Sequence, residues 1–160
     1  MTTVIVRPAT IDDSKTILKF ILDLAIYEKA EHEMIASEQH IKETLFCKSP
    51  KAFALIAELD GVAVGFAVYF FSYSTWLGKY GIYLEDLYVS LDQRGKGAGK
   101  ALLKELAKIA VDKNCGRLEW SVLDWNQPSI DFYEAMGAKA KDGWTVYRLD
   151  GHALTSFANK

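Results

Sequence analysis

The chain has 160 residues, half of them hydrophobic and a quarter charged, which fits one domain spanning residues 1–160. Its 19 basic and 21 acidic residues give a net charge of −2, which argues against a general nucleic-acid-binding protein. The high apolar content also excludes intrinsic disorder. No secretory start precedes Arg7-Pro8, and the longest apolar run, residues 62–71, is about half a membrane span. These features predict a cytoplasmic protein with no membrane partner.

The N-terminal half is predicted to contain one short strand, two helices and then three longer strands. A strand at residues 3–6 is followed by a capping box at residues 10–13, and helical spacing of apolar residues continues to about Tyr27. Ser37 is a candidate N-cap for the second helix. The three strand-like runs that follow lie at residues 53–59, 62–73 and 81–89.

The C-terminal half is predicted to alternate helices and strands. A long amphipathic helix covers residues 102–110, and a strand follows at residues 118–123. Pro128 suits the first turn of a further helix, and a last strand is expected at residues 144–149. The order β-α-α-β-β-β-α-β-α-β combines hairpins with crossovers, so we expect a mixed sheet of the α/β (α+β) class.

The most informative segment is a glycine-rich turn between a strand and the long helix, formed by Arg94, Gly95, Lys96, Gly97, Ala98, Gly99 and Lys100. Alternating glycines can turn several backbone N–H groups toward one point, and the N-terminus of the next helix adds positive partial charge. The spacing fits neither the dinucleotide fingerprint nor the P-loop. The pattern predicts a pyrophosphate cradle, with a glycine-rich turn that binds nothing as an equally weighted alternative.

In its context this turn resembles the acyl-CoA-binding motif of the GNAT acetyltransferase superfamily. Other segments, in the same order along nearly the whole chain, are similar to the diamine (spermidine/spermine) N-acetyltransferases and their thialysine-acetylating relatives. These segments are residues 5–10, 27–28, 76–79, 83–86 and 125–133. The resemblance implies a GNAT-like fold with a mostly antiparallel sheet flanked by helices, acetyl-CoA as cosubstrate, and a homodimer.

Acetyl transfer to an amine needs a base near the amine and an acid near the leaving thiolate. A lysine-like amine titrates near pH 10.4, so holding it neutral at pH 7 costs about 4.6 kcal/mol. The resemblance assigns the base role, through water, to Glu85, which strand alternation places on the opposite face from Asp86. It assigns the acid role to Tyr133. From the residues alone, Glu85 could be a polar edge residue and Tyr133 a core aromatic.

The resemblance also implies which residues contact coenzyme A and which contact the amine. Coenzyme A is expected to contact the backbone of one strand, the glycine turn and the start of a later helix, at Leu87, Tyr88, Val89, residues 94–100, Asn126 and Ser129. For Asn126, helix capping is the alternative role. The amine pocket is expected to be lined by carboxylates and aromatic faces, at Tyr27, Glu28, Trp76, Glu85 and Glu119, the last on strand placement alone.

The sequence therefore predicts an N-acetyltransferase that moves acetyl directly from acetyl-CoA to a small primary amine. Polyamines, diamines and thialysine-like amines are the first candidates. Ser74-Thr75 stands where the polyamine enzymes carry Asp-Pro, which weakens the case for polyamines in particular. A non-catalytic acyl-CoA sensor and an acetyltransferase of protein lysines or N-termini are the alternatives.

Neither a metal nor a covalent acetyl-enzyme is expected. Cys47 and Cys115 lie 68 positions apart without metal-ligand spacing, and the three histidines are scattered. Neither cysteine falls at the predicted site.

Overall fold

A computed structural model describes residues 3–160, which form a five-stranded mixed sheet with helices. The strands are β1 (Val4–Pro8), β2 (Phe53–Leu59), β3 (Val62–Ser74), β4 (Lys79–Val89) and β5 (Leu118–Trp120). The helices are α1 (Ser14–Tyr27), α2 (Glu38–Leu45), α3 (Ala98–Asp112), α4 (Gln127–Ala135) and α5 (Gly151–Ala158). The chain divides into two compact units, residues 1–123 and 124–160. The first unit holds the whole sheet, and the second holds α4 and α5.

The strands lie in the sheet in the order in which they occur along the chain. β1, β2, β3 and β4 pair antiparallel, whereas β4 and β5 pair parallel after the α3 crossover. The mixed sheet and the α/β class predicted from the sequence are thereby confirmed. No helix within residues 3–160 has both the length and the apolar character needed to cross a bilayer.

The sheet is covered on both faces in the first unit. On β2 the neighbouring residues Leu55 and Ile56 are both buried, and adjacent strand residues point to opposite faces. α1 packs on the face that carries Ile56 and Phe66, where Phe20 stacks on Phe66 with ring centroids 5.6 Å apart. The other face is left to α3, which contacts β1, β2, β3 and β4. Each such buried side chain contributes roughly 1.5–3 kcal/mol.

The predicted helix starts are confirmed because the signals that specify them are local. The backbone N–H of Thr10 donates to the Asp13 carboxylate at 2.7 Å, which forms the capping interaction before α1. Ser37 Oγ accepts the N–H of His40 at 3.2 Å at the start of α2, and Pro128 lies in the first turn of α4. Each cap satisfies a backbone donor that the helix leaves unpaired.

The strand predicted at residues 144–149 is wrong. Within residues 3–160 no strand pairs with this segment, and α5 follows it. Its large apolar side chains are exposed, Tyr147 by 93%. Residues that favour strands do not suffice, because a strand forms only where a neighbour completes the hydrogen-bonded ladder.

β5 is also shorter than predicted, ending at Trp120 rather than at residue 123. Its pairing with β4 stops at Leu84, directly before an irregularity in β4. That irregularity is part of the candidate site.

Candidate active site

Glu85 lies at a β-bulge. In the β3–β4 register Tyr69 pairs with Leu84 and Val68 pairs with Asp86, so Glu85 is the extra residue. A bulge bends the strand and redirects a side chain. The strict alternation that placed Glu85 and Asp86 on opposite faces therefore does not carry through this point. Glu85 is exposed, whereas Asp86 is half-buried.

Asp86 is the most perturbed carboxyl group at this end of the sheet. Burial, together with the negative charges of Glu85 and then Glu28, raises the pKa of Asp86 to about 6. Burial also raises the pKa of Glu28, which caps the C-terminus of α1. The first unit thus brings Glu28, Glu85 and Asp86 within electrostatic range. Such a group attracts a cation, and a carboxylate with a pKa near 6 suits a base at neutral pH.

Asp86→Asn is expected to stabilise the protein above pH 6. The pKa of Asp86 lies near 6 in the fold against an ordinary value of 3.8, so the folded state holds this proton more tightly than the unfolded state does. Wild-type stability should therefore fall as pH rises from about 4 to 6. The variant has no carboxyl group at this position and does not lose this stability. Its free energy of unfolding should therefore exceed that of the wild type by roughly 3 kcal/mol at pH 7.5, for a shift of about two pKa units. Urea unfolding at pH 4, 5, 6 and 7.5 measures the difference.

The control for this prediction is Asp142→Asn, because Asp142 is an exposed aspartate in the second unit. Its effect on the free energy of unfolding should not change over the same pH range. If the Asp86→Asn curve runs parallel to the wild-type curve, as expected for the control, the carboxyl group of Asp86 does not titrate near pH 6.

The edge of β4 that faces β5 is unpaired beyond the bulge. β5 pairs with β4 only at Ile82, Tyr83 and Leu84, and within residues 3–160 no other strand lies beside that edge from Asp86 to Val89. Backbone N–H and C=O groups along such an edge can receive an extended ligand as if it were another strand. Leu87, Tyr88 and Val89, the predicted contacts of the coenzyme A arm, lie on this stretch.

The glycine turn has the geometry of an anion cradle. Gly95 and Gly97 adopt φ values of +80° and +89°, and Gly97 is the N-cap of the 15-residue helix α3. A Cβ atom at either glycine would meet nothing within 4 Å, so the backbone conformation requires glycine there and the space in front is open. Lys96 Nζ donates to Gln93 Oε1 at 2.9 Å beside this space. Backbone donors, a helix N-terminus and open space fit a pyrophosphate.

Arg94 is held against the body of the first unit. Its Nε donates to the Val89 carbonyl at 3.1 Å. Its Cζ lies 4.8 Å from the ring centroid of Tyr27 and 5.6 Å from that of Tyr88. The predicted cofactor residue Arg94 and the predicted amine-side residue Tyr27 are therefore in contact, which the sequence did not indicate.

Two other residues predicted for the amine pocket, Trp76 and Glu119, do not join the carboxylates at the bulge. Trp76 lies in the turn between β3 and β4 and is 87% exposed. Glu85 lies six residues beyond Lys79 at the base of that turn, which is roughly 20 Å at 3.3 Å per residue. The structure therefore places Trp76 far from Glu85 and the neighbouring Asp86. Glu119 pairs with Tyr83 in the β4–β5 register, and its carboxylate forms an ion pair with Arg117, whose Nε lies 2.9 Å from Oε1.

The second unit carries the predicted acid and two predicted cofactor residues. Asn126 is 6% exposed, and its Oδ1 accepts the backbone N–H of Ser129 at 3.4 Å. This is the capping role that the sequence left open. Tyr133 lies half-buried on α4, with its ring centroid 5.5 Å from that of Phe132.

No metal site is evident within residues 3–160, where no three His, Cys, Asp or Glu side chains gather in a way that could hold an ion.

Comparison with known proteins identifies relatives over the full length. The model of the acetyltransferase (GNAT) family matches residues 23–138. A thialysine N-epsilon-acetyltransferase of Bos taurus is 38% identical, with 100% of both chains covered. A spermidine/spermine N(1)-acetyltransferase-like protein of Homo sapiens is 34% identical over 96% of this chain and 23% of that protein. The solved structure of an integron cassette protein from the mobile metagenome of V. cholerae superposes with a TM-score of 0.82 at 27% identity, covering 98% of each chain.

Proposed function

Because the chain belongs to the GNAT acetyltransferase family and is an N-acetyltransferase, we propose that it moves acetyl from acetyl-CoA directly to a primary amine of a small cationic substrate. Acetyl-CoA is the cosubstrate of this family. The observation that carries the proposal is the half-buried carboxyl group of Asp86, with its pKa near 6, beside Glu85 and Glu28. The same strand leads from these carboxylates into the glycine turn, so one element connects an amine site to a phosphate cradle.

The carboxylates account for the first half of the reaction. The amine reaches the enzyme as an ammonium ion, which the charges of Glu28, Glu85 and Asp86 attract. Glu85, exposed at the bulge, accepts one ammonium proton through water, and the freed lone pair attacks the acyl carbon. Asp86, whose pKa lies closer to neutral pH, is the second candidate to accept that proton.

The second half of the reaction concerns the departing thiol. Bound acetyl-CoA supplies the acetyl group as a thioester, so a C–N bond forms while the C–S bond breaks. The backbone of Leu87, Tyr88 and Val89 orients the acyl arm, and residues 94–100 bind the pyrophosphate. Tyr133 donates its phenolic proton to the sulfur, the newly bonded nitrogen releases its surplus proton to solvent, and Tyr133 regains a proton from solvent. Asn126 and Ser129 remain predicted contacts of the same arm.

We favour the side-chain amine of a thialysine-like amino acid as the acceptor, ahead of polyamines. The relative from Bos taurus is a thialysine acetyltransferase at full coverage. Ser74-Thr75 lacks the carboxylate that the polyamine enzymes carry at this place, and Trp76, in the turn before β4, lies far from Glu85 and Asp86. Both features reduce the contacts available to a long polycation.

The deciding experiment mixes the purified protein with acetyl-CoA and a panel of thialysine, lysine, ornithine, putrescine, spermidine, spermine and a lysine-containing peptide, while thiol release is followed. Thialysine is expected to give the highest kcat/KM. If the lysine-containing peptide is the only acceptor that gives thiol release, the protein acetylates protein lysines. Binding of acetyl-CoA without release for any acceptor would indicate a sensor.

Tyr133→Phe is expected to lower kcat roughly 100-fold, the low end of what general acid help is worth, and to leave coenzyme A affinity unchanged. The substitution removes only the hydroxyl, so the packing of the ring near Phe132 survives. Tyr147→Phe is the matched control, because Tyr147 is an exposed tyrosine in the same unit. Wild-type turnover in a folded Tyr133→Phe protein would show that Tyr133 is not the acid and serves only in packing.

We also propose that the chain forms a homodimer in the cytoplasm. The second unit exposes several large apolar side chains, including Trp144, Val146 and Tyr147, and such a surface is typical of an interaction site. Light scattering at micromolar concentration measures the mass, and a mass of one chain would contradict the proposal.

A further inference from the structure

The Arg94 side chain joins the two halves of the candidate site. It leaves the chain at the glycine turn, yet its guanidinium lies over the rings of Tyr27 and Tyr88, with Cζ 4.8 Å and 5.6 Å from their centroids. Its Nε also donates to the Val89 carbonyl at 3.1 Å. Two aromatic faces and a carbonyl on three sides fix the orientation of a planar guanidinium in a way that an ammonium group cannot reproduce.

The two tyrosines lie on the two elements that carry the candidate amine-side carboxylates. Tyr27 is the last residue of α1 and directly precedes Glu28, whose charge acts on Asp86. Tyr88 follows Asp86 by two residues on β4 and packs against Phe20 of α1 with centroids 6.2 Å apart. Any displacement of the turn therefore moves a group that contacts both elements carrying the carboxylates.

We propose that Arg94 is a positioning residue that couples the glycine turn to the C-terminal end of α1, so that coenzyme A on the turn and the amine beside Glu28 each strengthen the binding of the other. The inference rests on the proposed function, since it takes the turn as the coenzyme A site and α1 as part of the amine site. A guanidinium has five N–H donors, and the bond to Val89 uses only Nε. The Nη groups supply further N–H donors for a phosphate. A phosphate bound on the turn therefore also orders Arg94 against Tyr27.

Coupling between the two ligands is reciprocal in their binding free energies, and the Arg94–Tyr27 contact is the part of the protein proposed to carry it. A change on α1 should alter binding at the turn, and a change on the turn should alter binding at α1. Tyr27→Ala removes the aromatic face, whereas Tyr27→Phe keeps it and serves as the matched control. Arg94→Lys keeps the positive charge of the turn and loses the planar group.

Coenzyme A affinity is measured by titration calorimetry on the wild type and on each variant. Tyr27→Ala is expected to weaken coenzyme A binding about 3- to 10-fold, although Tyr27 is not on the turn, and Tyr27→Phe should stay within about 2-fold of wild type. The double variant Tyr27→Ala/Arg94→Lys should bind coenzyme A no more weakly than Arg94→Lys alone, because both changes break the same contact.

The reciprocal measurement is the Michaelis constant for the best amine of the panel, which reports amine affinity when chemistry is slow relative to amine release. Arg94→Lys should raise this KM about 3- to 10-fold even at saturating acetyl-CoA, and should lower kcat by a smaller factor. An arginine that serves only as a phosphate ligand would leave the amine KM unchanged once acetyl-CoA is saturating. Tyr27→Leu, which keeps the bulk without the ring face, replaces Tyr27→Ala if circular dichroism shows that the alanine variant does not fold.

The outcomes separate the inference from the function on which it rests. Wild-type protein that binds no coenzyme A would overturn the proposed function. Wild-type binding together with unchanged affinity in Tyr27→Ala, or in Tyr27→Leu, would overturn the coupling alone. An unchanged amine KM in Arg94→Lys would likewise overturn the coupling and leave Arg94 as a phosphate contact only.

Discussion

Coenzyme A affinity is expected to fall at least 100-fold when Gly97 is replaced by glutamate. Gly97 has a φ of +89° at the N-cap of α3, a conformation that costs an L-residue about 1–2 kcal/mol. The new carboxylate would also project into the open space before the helix N-terminus, where the pyrophosphate is proposed to bind. A 100-fold loss corresponds to about 2.8 kcal/mol of binding free energy, which charge repulsion and lost backbone contacts can supply together. Titration calorimetry with coenzyme A measures it.

Gly143→Glu is the matched control for this change. Gly143 has the same φ of +89°, and a Cβ atom there also meets nothing within 4 Å, but it lies in the second unit, outside the turn. The two variants should therefore carry a similar backbone cost, visible as similar shifts in urea unfolding. Equal coenzyme A affinities in Gly97→Glu and Gly143→Glu would show that the pyrophosphate does not bind at the turn.

Glu85→Gln is expected to lower kcat/KM for the amine by 10²- to 10³-fold at pH 7. The amide keeps the shape of the side chain at the bulge but cannot accept the ammonium proton. The deficit should shrink as pH rises toward 10, because the free amine then supplies its own lone pair. Rate profiles from pH 5.5 to 10, run beside the exposed Glu31→Gln as control, measure both effects.

The same profiles separate Glu85 from Asp86 as the proton acceptor. If Asp86 is the base, the acid limb of the wild-type profile should bend near pH 6, where its carboxyl group takes up a proton, and Asp86→Asn should remove that bend. A Glu85→Gln enzyme with nearly wild-type rates and an intact bend would transfer the base role to Asp86.

The sequence predicted those features that short segments determine. The caps at Thr10 and Ser37 and the proline of α4 act within one helical turn, so the helices begin where these residues indicate. The glycine turn was predictable in part, because glycine permits the positive φ values that Gly95 and Gly97 adopt, whereas Gly99 lies within α3.

The features that depend on pairing between separate segments were not predictable. The bulge at Glu85 arises from the register of β4 on β3, which no local pattern encodes, so the strict alternation expected at Glu85 and Asp86 fails there. The segment at residues 144–149 has a strand-like composition but no pairing neighbour among the described residues. The contact between Arg94 and Tyr27 likewise joins residues from the two long connections of the sheet.

The strand order has a consequence for the kinetics of folding. β2, β3 and β4 follow one another through the short turns at residues 60–61 and 75–78, whereas β1 meets β2 only across residues 9–52 and β4 meets β5 only across residues 90–117. Local contacts close with a smaller loss of chain entropy than distant ones, so we expect this three-stranded meander to form the folding nucleus. α1 and the glycine turn lie in the two long connections and should dock onto it late. Substitutions at Tyr27, Arg94 or Gly97 should then accelerate unfolding and leave the refolding rate nearly unchanged.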